Sequence, residues 1–187
     1  MEKPILTRNT TLLQSPSKTD IVPSILLLLA GRAGVLGAFP FGTAFFAACF
    51  DKSTAYLGIT VLYLALLSAG ASDVAVKYMM ASLIFWLFIN LYKRGMKGIE
   101  AAACGASVFI SGMASMFYSF TGPYDVFILL IESAISAIMY IIFSGARDVA
   151  YGRRRASTQE ELLSIGAAIG VFILGFGKME IPYGISI

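Results

Sequence analysis

Three long, predominantly apolar runs, at residues 74–92, 99–118 and 124–144, constrain what this chain can fold into more than any other feature. Each meets the length of about 20 residues that an α-helix needs to cross bilayer hydrocarbon, rising about 1.5 Å per residue. Shorter apolar segments lie at 21–36, 39–50, 54–69 and 162–176. Lipid offers no partner to backbone N–H and C=O groups, so such runs must satisfy their hydrogen bonds internally, as helices. Composition agrees, with 58% hydrophobic residues, 13% charged residues and a mean hydropathy of +0.80. A soluble domain carries about 25% charged residues, and so few charges cannot cover this much apolar surface. The expected fold is an all-α polytopic transmembrane helical bundle with about 6–7 membrane segments.

Charge placement sets the threading. The loop after Tyr92 carries Lys93, Arg94 and Lys97, and the loop after Ser144 carries Arg147, Arg153, Arg154 and Arg155, while the turns at 70–73 and 119–123 hold no Lys or Arg. Basic loops stay in the cytosol. Counting back through two crossings places Asp51 and Lys52 inside too. A single crossing over residues 21–50 would strand the tail bearing Lys3, Arg8 and Lys18 outside; a bend at Gly37 and Pro40 keeps it inside. The Gly37-Ala-Phe-Pro40 breaker sits where that bend is needed, so the first pair reads as a hairpin or re-entrant pair. Thr158-Gln-Glu-Glu161 has the form of a capping box opening the last segment. The domain reading is a cytoplasmic tail at 1–20, a membrane domain at 21–177, and a short, truncated C-terminal tail at 178–187. A cleaved signal peptide is disfavoured, because Arg32 interrupts the first apolar run.

Several function classes drop out. The chain has no histidine, which removes the usual acid–base group and the commonest metal ligand. Cys49 and Cys104 lie in apolar stretches without CxxC spacing and read as buried small side chains. A net charge of +3 is too small and scattered for a nucleic-acid partner. The sequence nominates no catalytic, metal or cofactor-binding residues.

Polar residues within membrane segments remain the place to look. Arg32 lies in the first apolar segment, and Asp125, Glu132, Ser136 and Tyr140 recur at helical spacing along 124–144. The eleven Val, Ile, Leu and Phe residues of that segment contribute on the order of −5 kcal/mol to insertion, against about 3 kcal/mol for a central charge. The helix inserts with its acidic stripe facing the bundle interior. Arg32 and Glu132 fall about 7 Å and 12 Å below the outer ends of their segments, a gap an arginine side chain spans. An Arg32–Glu132 interhelical ion pair is therefore expected, either as a packing device or as a proton or ligand site. Gly31 and Gly34, with Gly37, repeat every third position; Gly166 and Gly170 form a GxxxG; and Ala102–Ala106 and Ser107–Ser111–Ser115 repeat every fourth. Such spacings let helix backbones approach closely. Contact within the bundle is the first expectation, and self-association the second.

The order of features resembles the N-terminal membrane region of stage II sporulation protein E, a membrane-bound serine phosphatase family of spore-forming bacteria. The resembling residues are Leu29-Ala-Gly-Arg-Ala33, Phe39-Pro40-Phe41, Phe45-Phe46, Asp51-Lys52, Tyr124-Asp125, Ile131-Glu132-Ser133-Ala134 and the basic loop leading to Glu160-Glu161. Arg32 and Glu132 fall where that family carries an arginine and a glutamate. The resemblance implies a membrane anchor and assembly module that positions a serine/threonine phosphatase at the asymmetric septum, beside the tubulin-like division protein and the septal machinery. It implies a multi-pass cell-membrane protein, N-terminus cytoplasmic. The manganese-dependent phosphatase that follows about ten spans in that family is not carried over, and the chain is expected not to be an enzyme. The competing class is a small-molecule transporter or channel subunit, since transporters build sites from broken helices and buried charges.

Overall fold

The computed structural model describes residues 18–35, 37–92, 96–119, 122–150 and 159–177. Among them the chain is all helical: α1 Lys18–Arg32, α2 Pro40–Cys49, α3 Ala55–Ser68, α4 Ser72–Leu91, α5 Lys97–Ser119, α6 Pro123–Ala150 and α7 Gln159–Gly177. Four helices, α4 to α7, are long and apolar enough to cross a membrane. The other three, at 15, 10 and 14 residues, are about 15–22 Å long and too short to cross upright. The tail with Lys3 and Arg8, the loop residues Lys93, Arg94 and 153–155, Thr158 of the capping box and the C-terminal 178–187 lie outside the described residues.

The first pair is a hairpin. After Arg32 the chain turns through Val35 and Ala38, which exchange backbone N–H···O bonds of 2.8 and 2.9 Å. Gly37 takes φ +81, a region L side chains avoid, and Pro40 then opens α2 at a position where a missing N–H costs nothing. The two arms touch backbone to backbone: a Cβ on Gly42 would stand 2.8 Å from Gly31 Cα.

α2 is the centre of the molecule. Every residue from Pro40 to Ala48 is buried, and α1, α3, α4, α5 and α6 surround it. A helix apolar all round belongs in such a place. Around it the longer helices turn mixed faces inward, with small and polar residues beside Leu62, Tyr78, Phe85, Leu129 and Phe143, and leave Leu64, Val76, Leu83, Leu87, Leu130, Ile138 and Leu174 outside, where lipid accepts them.

α6 runs farther than its apolar stretch, to Ala150 instead of stopping near Ser144. Gly145 alone penalises a helix by about 1 kcal/mol, and no proline follows it to break the ladder. Its 28 residues make about 42 Å of helix, so its last turns carry Arg147 on the helix and not in a loop. There Arg147 donates to the Ala48 carbonyl at the end of α2 and approaches Asp148 at 3.4 Å. Lys97 of α5 meets Asp148 at 2.6 Å, and Lys52 reaches the Asn90 carbonyl at 3.3 Å. One end of the bundle thus collects these charges, and the opposite end carries the Val35–Ala38 turn, Gly70 and Gly122.

Candidate functional site: a buried ion pair between helices

Glu132 sits about a third of the way along α6, 2% exposed, and its Oε2 lies 2.5 Å from Lys77 Nζ on α4. Tyr78, fully buried beside Lys77, flanks the same carboxylate. The Tyr78 hydroxyl accepts the Phe39 backbone N–H at 2.5 Å, and its ring meets Phe39 edge-on at 6.3 Å. The ion pair is thereby tied to the hairpin turn. One helical turn deeper, Ser136 donates to the Pro40 carbonyl at 3.5 Å, and its own carbonyl receives Cys104 Sγ at 3.8 Å. One turn further, Tyr140 donates to Glu100 of α5.

Three buried oxygens on the facing helices α2, α4 and α6, Thr43 Oγ1, Ser82 Oγ and Glu132 Oε1, accept no hydrogen bond from any described residue. A carboxylate at such depth costs about 2.5–3.5 kcal/mol on insertion, and Lys77 offsets this by neutralising it. Lys77 lies five positions into α4 and Glu132 nine into α6, about 7 Å and 13 Å below their ends, and the lysine stem spans the difference. The pair can fix the register of α4 against α6, and it can hold a proton out of reach of bulk water.

The sequence-derived residues distribute unevenly. Glu132, Ser136 and Tyr140 all face the interior, at 2% exposure or less. Asp125 is half-buried in the first turn of α6, where its charge favours the positive pole of the helix dipole. The expected Arg32–Glu132 pair does not form. Arg32, 7% exposed, ends α1 and donates from Nη1 to Ser68 Oγ at 2.8 Å, at the C-terminal end of α3. α1 packs on α2, α3 and α7, and the hydrogen bond to Ser68 holds the Arg32 guanidinium on the α3 side of that helix.

Lys77 was missed. It is the one basic residue inside the run 74–92, and the depth arithmetic that selected Arg32 selects it equally well.

The glycines divide in the same way. Gly31 faces α3, where a Cβ would come 2.7 Å from Ala65 Cβ, and Gly34 lies past the end of α1 under the Phe39 ring. Gly166 and Gly170, by contrast, are exposed and have nothing within 4 Å of a built Cβ. They do not pack within this bundle, because α7 turns Gly175 inward, against the Leu29 carbonyl. α5 approaches α6 at Gly105, whose carbonyl takes the Ser133 hydroxyl at 2.8 Å. Ala102 and Ala106 face outward, and Ser107, Ser111 and Ser115 bond to carbonyls of their own helix.

Residues 4–185 match the family described as SpoIIE, N-terminal domain. The chain belongs to that family. No curated protein and no solved structure matches it. The SpoIIE N-terminal domain is thus a helical membrane bundle here, and the match takes in all the described helices and the Lys77–Glu132 pair. Neither the domain match nor the bundle brings a catalytic domain with it.

Proposed function

We propose that this SpoIIE N-terminal domain is a membrane-anchoring and assembly module that positions a serine/threonine phosphatase at the asymmetric septum during sporulation. The observation that carries the reading is the family match over residues 4–185. In this reading the end bearing Lys52, Lys97 and Arg147 faces the cytosol, following the positive-inside rule, and the N-terminus lies on that side. Self-association, and contact with the tubulin-like division protein and the septal machinery, are the partnerships such a role requires. The Lys77–Glu132 pair then serves as a register lock, holding α4 against α6 so that the outer surface keeps one shape.

A fluorescent fusion of the full chain, expressed in a spore-forming bacterium lacking its own SpoIIE membrane region, tests this. Fluorescence gathered at the polar septum supports the proposal; even labelling of the whole cell membrane counts against it. A transporter reading is favoured by the buried half-helix α2 and would show as a solute that stabilises the purified chain against heat.

A further inference from the structure

Near the charged end of the bundle, α1, α2, α6 and α7 enclose a half-open cavity of about 620 Å³. That is a volume typical of small-molecule sites, about 300–1,000 Å³. Its floor is aromatic. Phe45 meets Phe143 at 5.2 Å and Phe172 at 5.6 Å, edge to face, and Phe143 stacks on Phe172 at 6.1 Å. From that floor the walls rise through apolar side chains to the ends of the helices, and the only charged residue among the lining groups is Arg147.

We propose that this cavity binds the acyl chain of an anionic phospholipid, with Arg147 meeting the headgroup phosphate. Position carries much of the argument. The lining runs from Val149 and Ala150 at the end of α6 down to Phe172 on α7, so the cavity begins at headgroup level and descends into the hydrocarbon. A hole of this size opening from a bundle bathed in lipid is filled by the chains around it, and its apolar walls exclude polar solutes. Selectivity then rests on Arg147. Its Nη1 serves the Ala48 carbonyl, but its Nη2 reaches Asp148 only at 3.4 Å, and its buried Nε bonds to no described residue. Asp148 is shared, its Oδ2 lying closer to Lys97, at 2.6 Å, than its Oδ1 does to Arg147. The guanidinium therefore keeps donors and charge to offer, in the planar arrangement that suits phosphate. Basic pockets between transmembrane helices at the cytoplasmic face bind anionic headgroups for this reason.

The test is native mass spectrometry of the full chain released from vesicles of equal phosphatidylglycerol and phosphatidylcholine. Phosphatidylglycerol is expected to be retained as the first lipid by about fivefold over phosphatidylcholine. Arg147→Gln should bring that preference to parity while leaving a lipid bound. Because Arg147 also holds α2, a second variant, Ala168→Phe, fills the cavity and leaves the arginine in place; it should lose the retained lipid. Equal retention of both lipids by the unaltered chain, a preference that survives Arg147→Gln, or an occupancy unchanged by Ala168→Phe would each overturn the proposal.

Discussion

Replacing Lys77 with Met asks directly whether the buried pair holds the bundle together. Met fills nearly the same volume and leaves Glu132, 2% exposed, without its counter-charge. Breaking a buried ion pair from one side costs about 3–5 kcal/mol, because the remaining charge keeps its desolvation penalty without its partner. Glu132→Leu should cost less, because Lys77 keeps 15% of its side chain exposed and its stem can carry the ammonium outward. The double variant Lys77→Met/Glu132→Leu removes both penalties and should return to within about 1 kcal/mol of the parent. For a chain of 187 residues, each 1 kcal/mol shifts the melting temperature by about 2–4 °C. The single lysine variant should thus melt about 6–20 °C lower and the double variant within a few degrees of the parent. The assay is thermal unfolding in mild detergent, followed by circular dichroism. Arg32→Met combined with Glu132→Leu supplies the control, since residues without a shared partner add within about 0.5 kcal/mol. The reasoning is refuted if the two single effects of the Lys77–Glu132 cycle simply add, or if Arg32 shows the larger coupling to Glu132.

The same assay reads the glycines. Gly42→Ala puts a methyl 2.4 Å from Leu62 Cδ1 and 2.8 Å from Gly31 Cα, and should destabilise by about 1–3 kcal/mol. Gly170→Ala meets open space and should be neutral or gain up to about 1 kcal/mol from helix propensity; equal losses at both positions would contradict the packing described. Tyr78→Phe removes the hydroxyl that accepts the Phe39 N–H, and losing one hydrogen bond costs about 0.5–1.5 kcal/mol, so an unchanged melting temperature would contradict that bond. For the threading, a chain with Cys49 and Cys104 replaced by Ala should label from outside the cell at Ser72→Cys and not at Ser53→Cys, and the reverse pattern would invert the orientation.

How far the sequence reached depended on the kind of information each feature needs. Segment positions follow from hydrophobicity alone, and 74–92, 99–118 and 162–176 match α4, α5 and α7 to within a few residues. The bend at Gly37 was legible because a glycine and a proline leave the chain few other options. The end of α6 was not, because an apolar stretch ends where lipid ends, whereas a helix ends where its hydrogen bonds do. Partner choice was less legible still. Depth brought Arg32 and Glu132 within reach of each other, but depth is one coordinate of three, and which helices are neighbours depends on packing that α2 controls. The GxxxG of α7 is of the same kind: the motif says that a backbone is bare on one side, not whether that side meets the bundle or a second copy.

The burial of α2 ties these observations together. A ten-residue helix spans about 15 Å, so it cannot reach from one face of the bundle to the other, and its start falls at a depth where loose backbone groups would be costly in lipid. The fold meets this demand with the polar side chains that looked like a site. At its start, Tyr78 accepts the Phe39 N–H, and Ser136 adds a long hydrogen bond to the Pro40 carbonyl; at its end, where carbonyls lack a partner within the helix, Arg147 donates to the Ala48 carbonyl. Glu132 lies on the face of α6 that carries Ser136, and Lys77 is next to Tyr78, so the ion pair holds in register the two helices that close the top of α2. A short helix can remain inside the membrane only if its neighbours are fixed at the right height, and the Lys77–Glu132 pair is a fixed point between two of them.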